Sequence, residues 1–117
     1  MKEEKFKIIQ FTREFIVRIE NELDNFPKKD LEIKKKIREE SYNLLEEMYE
    51  VNITESIERK CILLENGIAK VKVIDFLINL SYDRKLITQK MYVRLSEKLD
   101  DIVKYISGLL KNINSRA

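Results

Sequence analysis

The residues of this chain that could do chemistry are charged, and they are segregated by sign. Residues 28–38 include six basic residues and two acidic ones, whereas residues 39–58 include seven acidic residues and no basic one. Clustered lysine and arginine can contact phosphates, and clustered carboxylates can in principle bind a cation. We interpret the carboxylates of the second segment as a solvated helix face; they include Glu39, Glu40, Glu46, Glu47 and Glu50.

The composition excludes most catalytic and metal chemistry. The chain has no histidine, so it lacks Ser-His and Cys-His dyads and the Glu-x-x-His pairs of di-iron bundles. The single cysteine, Cys61, can form neither an intrachain disulfide nor a Cys/His zinc site, and it fits a small core residue in a reducing compartment. Two scattered glycines cannot build a phosphate-cradling loop. We therefore predict no enzymatic activity, no cofactor and no metal site.

The elements that position these charges are predicted to be helices. Residues 1–117 form one domain with 44% apolar and 38% charged residues, two glycines and one proline, which is typical of long helices joined by short turns. No run of about 18 apolar residues occurs, and the charged N-terminus lacks the apolar core of a signal peptide. We expect a cytoplasmic protein without a membrane partner.

Apolar spacing defines four helices. Helix 1 spans residues 2–25 and is ended by Pro27. Helix 2 (31–51) has Asp30 as its candidate N-cap, and helix 3 (55–84) has Thr54. The candidate N-cap of helix 4 is Thr88. The helix 4 stripe spans about 39 Å and consists of Thr88, Tyr92, Leu95, Leu99, Ile102, Ile106, Leu109 and Ile113. The inward positions of helix 2 are Ile33, Ile37, Ser41, Leu44, Met48 and Val51.

Helix 3 is apolar on more than one side. One stripe consists of Ile57, Cys61, Leu64, Ile68, Val71, Ile78 and Tyr82, and a second consists of Ile62, Ala69, Val73, Phe76 and Leu80. Gly67 lies inside this helix, where it either permits close packing or marks a weak spot. The apolar surplus indicates a homo-oligomer interface; alternatively, helix 3 is the most buried helix of a monomer.

Short joints predict an antiparallel up-down-up-down four-helix bundle. Its helix 1–2 and helix 3–4 joints would then lie at one end and gather nine basic residues, which we term the basic pole. Its members are Lys28, Lys29, Lys34, Lys35, Lys36, Arg38, Arg84, Lys85 and Lys90. The net charge is only +2, so the folded protein would have its positive charge concentrated at one end. This basic pole would either contact phosphates or merely solubilise the helix ends.

Residues 26–113 resemble the four-helix-bundle family that includes the accessory variability determinant (Avd) of diversity-generating retroelements and the ribosomal RNA intervening-sequence proteins. The likeness rests on Phe26-Pro27-Lys28, on residues 76–88 (FLINLSYDRKLIT, similar to the family's LLRLAYDLxLIS run) and on residues 95–102 (LSEKLDDI, similar to LSExLDEI). The SIPSNIAEG-like signature of the ribosomal branch is absent where helix 2 ends, which favours the retroelement branch.

The resemblance implies a homopentameric ring that binds a reverse transcriptase and RNA or an RNA/DNA hybrid, and that supports mutagenic reverse transcription without catalysis. By position, seven residues of the basic pole are candidates for phosphate contact: Lys28, Lys29, Lys34, Lys35, Arg38, Arg84 and Lys85. The alternative is a protein-binding scaffold of the ribosomal intervening-sequence family that binds no nucleic acid. Salt-dependent RNA binding separates the two functions.

Overall fold

Four α-helices make up nearly all of the described chain in the computed structural model, which describes the backbone of residues 2–116 and the side chains of residues 7–115. The helices are α1 (Lys2–Leu23), α2 (Leu31–Ile53), α3 (Ile57–Asp83) and α4 (Gln89–Arg116), and a short 3-10 turn, Lys28–Asp30, precedes α2. No strand occurs within residues 2–116. The predicted all-α fold is confirmed.

Each of the four helices packs against two neighbours around a shared core. α1 packs against α2 and α4, and α3 also packs against α2 and α4, whereas α1 and α3 do not contact each other within the described backbone. The core on α2 and α4 consists of residues from the predicted apolar stripes, although Thr88, the first residue of the α4 stripe, is exposed. Its α4 contribution is Leu95, Leu99, Ile102, Ile106 and Leu109.

Gly67 is a point of close packing between helices. A β-carbon at this position would lie 2.9 Å from Met48 Cε on α2 and 3.3 Å from Ile106 Cδ1 on α4. Neighbouring side chains therefore occupy the space that any larger residue would need. Of the two interpretations of this glycine, the structure supports close packing.

α3 differs from the prediction in which of its faces is buried. Its buried residues are Leu63, Leu64, Gly67, Val71, Ile74, Leu77, Ile78 and Ser81. Ile57 of the first predicted stripe is exposed, and so is most of the second stripe. We name that second stripe (Ile62, Ala69, Val73, Phe76 and Leu80) the α3 outer face; Phe76 is 63% exposed and only Leu80 is half-buried. Burial within the protomer therefore accounts for the first stripe of helix 3 but not for the second.

Two of the predicted helix caps need correction. Thr54 does not begin α3 but ends α2, where its backbone N–H donates to the Glu50 carbonyl. α3 is capped instead by Ser56, whose hydroxyl accepts from the Arg59 backbone N–H at 3.1 Å. Asp30 occupies the N-cap position of α2 without a side-chain capping bond, because its carboxylate is engaged elsewhere. The Thr88 cap of α4 is confirmed, since its hydroxyl accepts from the Met91 N–H at 3.1 Å.

The corrected cap gives a direct test. Replacing Ser56 by alanine should lower the free energy of unfolding by about 1 kcal/mol, because the first turn of α3 loses an acceptor for its backbone N–H groups. Replacing Thr54 by alanine should change it by less than half as much. Urea unfolding of both variants at one protomer concentration measures the difference, and a larger loss for Thr54→Ala would contradict the assignment.

Candidate nucleic-acid interface

One ion pair bridges the two joints that carry the basic pole. Arg84 Nη2, just after α3, lies 2.8 Å from Asp30 Oδ1, just before α2. The Asp30 side chain is 0% exposed, whereas that of Arg84 is 47% exposed. Among the side chains described, no hydrogen-bond donor reaches either carboxylate oxygen with good geometry, so Arg84 supplies the charge compensation. The basic segments before α2 and after α3 therefore share one end of the protein.

The five lysine candidates are available to a ligand. Lys28, Lys29, Lys35 and Lys85 are exposed, and Lys34 is half-buried. None of the five has an ion-pair partner within residues 7–115, which are those with described side chains. Unpaired ammonium groups on adjoining segments form a positive surface of the kind that phosphates approach.

The two arginine candidates are already engaged. Arg38 on α2 donates from Nε to Glu20 Oε1 at 2.7 Å and from Nη2 to Glu20 Oε2 at 3.3 Å, which links α2 to α1. The hydrogen-bonded carboxylate of Glu20 raises the pKa of Arg38 above its ordinary value. Arg84 is similarly paired with Asp30. Both arginines position the surface, and the lysines remain its free charges.

The joint after α3 has an unusual backbone. Lys85 adopts φ 62°, a left-handed conformation that glycine usually occupies at the end of a helix. The Lys85 N–H donates to the Tyr82 carbonyl at 2.9 Å, and the Leu86 N–H donates to the Ser81 carbonyl at 2.8 Å. This pair of bonds is the Schellman motif. It fixes the backbone that presents Lys85, although a lysine there has an unfavourable conformational energy.

Three of the six carboxylates of α2 pair with basic side chains. Glu47 contacts Lys70 at 3.2 Å, Glu50 contacts Arg59 at 3.1 Å, and Lys36 contacts Glu40 at 3.3 Å, which explains why Lys36 contributes little to the free charge of the pole. Glu39 and Glu46 are exposed. Within the described residues, no three cysteine, aspartate or glutamate side chains come together in a way that could hold a metal ion.

Sequence reasoning missed the partners of the arginines and the orientation of one aromatic residue. Glu20 and Asp30 lie on other segments than Arg38 and Arg84, so no local spacing indicates the pairs. Phe76, which belongs to the second apolar stripe of helix 3, is exposed to solvent rather than packed in the core. By contrast, Tyr82 and Tyr92 stack with ring centroids 4.8 Å apart, and Tyr92 donates to Asn79 Oδ1 at 2.6 Å.

Comparison of the chain with models of protein families, with characterised proteins and with solved structures gave no match. Among the helices of residues 2–116, none combines the length and the apolar character needed to cross a membrane.

Proposed function

We propose that this chain is a non-enzymatic accessory protein of the cytoplasm that binds nucleic acid through the free lysines of its basic pole. The observation that carries the proposal is the Asp30–Arg84 ion pair, which joins two lysine-bearing segments into one surface. The resemblance to Avd supports the identity of the ligands, namely a reverse transcriptase and its RNA or RNA/DNA hybrid. No part of the proposal requires a cofactor or a metal.

The proposed assembly is an up-down-up-down bundle that forms a homopentameric ring. Contacts between α1 and α4 support the alternating directions. Phe11 contacts Tyr105, and Glu14, further along α1, contacts Lys98, which is earlier on α4. The two helices therefore run antiparallel in this proposal. The exposed α3 outer face supports self-association, because apolar stripes of this length on a small domain usually mark an interface. A ring would place several basic poles side by side and strengthen their field.

The second candidate function is a protein-binding scaffold without nucleic-acid affinity. The exposed Phe76 and the acidic surface of α2 favour it, because both features suit a protein ligand. RNA binding discriminates the two candidates, since a scaffold has no reason to bind phosphate with a steep dependence on salt.

The test compares two variants with the same change of charge. The pole variant replaces Lys28, Lys29 and Lys85 by glutamine, and the control variant replaces Lys60, Lys104 and Lys111 by glutamine. We expect wild type to bind a structured RNA with a steep salt dependence, and the pole variant to reduce the slope of log K against log salt by about 2 per engaged protomer. The control should keep most of the wild-type slope.

Fluorescence anisotropy at several salt concentrations measures these slopes. Equal losses in the two variants would mean that net charge, rather than the pole, governs binding. Absence of salt-sensitive binding by the wild type would leave the scaffold function.

A further inference from the structure

Two outward surfaces of the protein are candidates for contact with another molecule. The first is the α3 outer face, where Phe76 is the most exposed large apolar side chain. The second is a groove of about 750 Å³ on α1, here named the α1 outer groove. Its lining residues are Ile9, Gln10, Arg13, Glu14, Val17 and Arg18. Val17, in the middle of this lining, is 64% exposed.

The two surfaces lie on helices that are not neighbours in the bundle. α1 and α3 occupy diagonal corners of the bundle, because each packs against α2 and α4 and not against the other within the described backbone. The side of each helix that faces away from the core therefore faces away from the other helix as well. A contact between two different surfaces of a protomer is head-to-tail, and such contacts generate closed rings when the rotation between copies closes.

The two surfaces also lie at the same height along the bundle. Phe11 contacts Tyr105 of α4, with ring centroids 5.2 Å apart, and a β-carbon on Gly67 would lie 3.3 Å from the next residue, Ile106. Val17 follows Phe11 by six residues, and Val73 follows Gly67 by six residues. If α1 and α3 run in the same direction, as proposed above, Val17 and Val73 are level. A cyclic ring requires this match, since its symmetry rotates copies without translating them along the axis.

Arg13 and Glu65 are the complementary charges of the two surfaces at this register. Arg13 and Arg18 beside Val17 are exposed and have no ion pair among the described side chains, whereas Glu14 is paired with Lys98. On α3, the exposed carboxylate nearest to Val73 that has no ion pair in the described part of the chain is Glu65. Glu58 and Asp83 are exposed at the two ends of the helix, and the exposed Lys72 is adjacent to Val73. Opposite charges around an apolar centre set the register of an interface and steer its assembly.

We propose that the α3 outer face of one protomer packs on the α1 outer groove of the next copy of this chain. Phe76 and Val73 cover Val17. At this register Arg13, four residues before Val17, lies about 6 Å along the axis from Glu65, eight residues before Val73. The contact deepens the ring assembly of the proposed function and rests on it. Each protomer uses both surfaces once, so neither surface remains exposed in the closed ring.

The experiment measures molar mass by light scattering for three variants without RNA. Val17→Glu and Phe76→Glu each place a carboxylate in the apolar centre from a different side, and both should convert the wild-type oligomer to monomer. The control, Ile53→Glu, changes a residue that is 77% exposed at the end of α2 and outside both surfaces, and it should keep the wild-type mass. Circular dichroism should show the same helix content in all variants.

Mixing the two monomeric variants tests the head-to-tail arrangement. Val17→Glu keeps a functional α3 outer face and Phe76→Glu keeps a functional α1 outer groove, so an equimolar mixture should form a one-to-one dimer and nothing larger. A wild-type monomer would overturn the proposal. So would a Val17→Glu variant that stays oligomeric, because α3 would then pair with α3.

The outcomes separate this interface from nucleic-acid binding. A wild-type oligomer that dissociates as expected but does not bind RNA would contradict the proposed function alone. A monomer that binds RNA with the expected dependence on the basic pole would contradict the interface alone.

Discussion

Replacing Phe15 by alanine should lower the free energy of unfolding by about 3–5 kcal/mol. Phe15 is 0% exposed and is among the largest fully buried side chains, in the middle of the α1 surface that meets the core. Truncation removes the transfer free energy of the ring and leaves a cavity that four packed helices fill only in part. For a domain of this size, a loss of that magnitude corresponds to a fall in Tm of well over 10 °C.

Val17→Ala is the matched control for Phe15→Ala. It truncates an apolar residue of the same helix, but Val17 is mostly exposed in the protomer. Urea unfolding should be followed at one protomer concentration, because the proposed association would also contribute to apparent stability. In the Phe76→Glu background, where we expect a monomer, Val17→Ala should cost less than about 1 kcal/mol. A cost comparable to that of Phe15→Ala would mean that the core is not where the structure places it.

Replacing Arg84 by methionine should lower the free energy of unfolding by about 2 kcal/mol. The change leaves the Asp30 carboxylate buried without a positive partner, and removing one partner of a buried pair typically costs about 3–5 kcal/mol. We expect a value below that range because the Arg84 side chain is 47% exposed, so water already screens part of the interaction. Methionine retains most of the apolar stem of arginine, which limits the loss of packing.

Lys85→Met provides the control for the charge pair, since Lys85 is the next residue and is exposed without an ion-pair partner in the described side chains. It removes the same charge and should change stability by less than about 0.5 kcal/mol. A double-mutant cycle with Asp30→Asn isolates the coupling. If Arg84→Met costs the same alone and in the Asp30→Asn background, the two side chains do not interact and the joints are held together by other contacts.

The four helices could be predicted from the sequence because a helix is a local structure. Leu95, Leu99 and Ile102 recur at the spacing that places them on one side of α4, and all three are buried. Pro27 marks the break after α1 for an equally local reason, since a proline disfavours helical backbone in the residue before it. The clustering of lysines around residues 28–35 is visible in the chain in the same way.

The caps show where local information becomes ambiguous. Thr54 and Ser56 are both suitable hydroxyl residues, two positions apart between α2 and α3. Which one caps α3 depends on the path of the backbone between two packed helices, and that path places Ser56 at the start of α3. Asp30 is a good capping residue by type, but burial against Arg84 takes its carboxylate away from the helix end.

The sequence by itself determined the number of helices, their approximate ends and the segregation of charge along the chain, because each depends on neighbours within one or two turns. The tertiary structure decided which apolar stripe of α3 faces the core, since both stripes have helical spacing and only the packing of α2 and α4 selects Leu64 over Phe76. It also decided that Arg38 and Arg84 are paired while the lysines stay free, because their carboxylate partners come from distant segments that only folding brings within 3 Å.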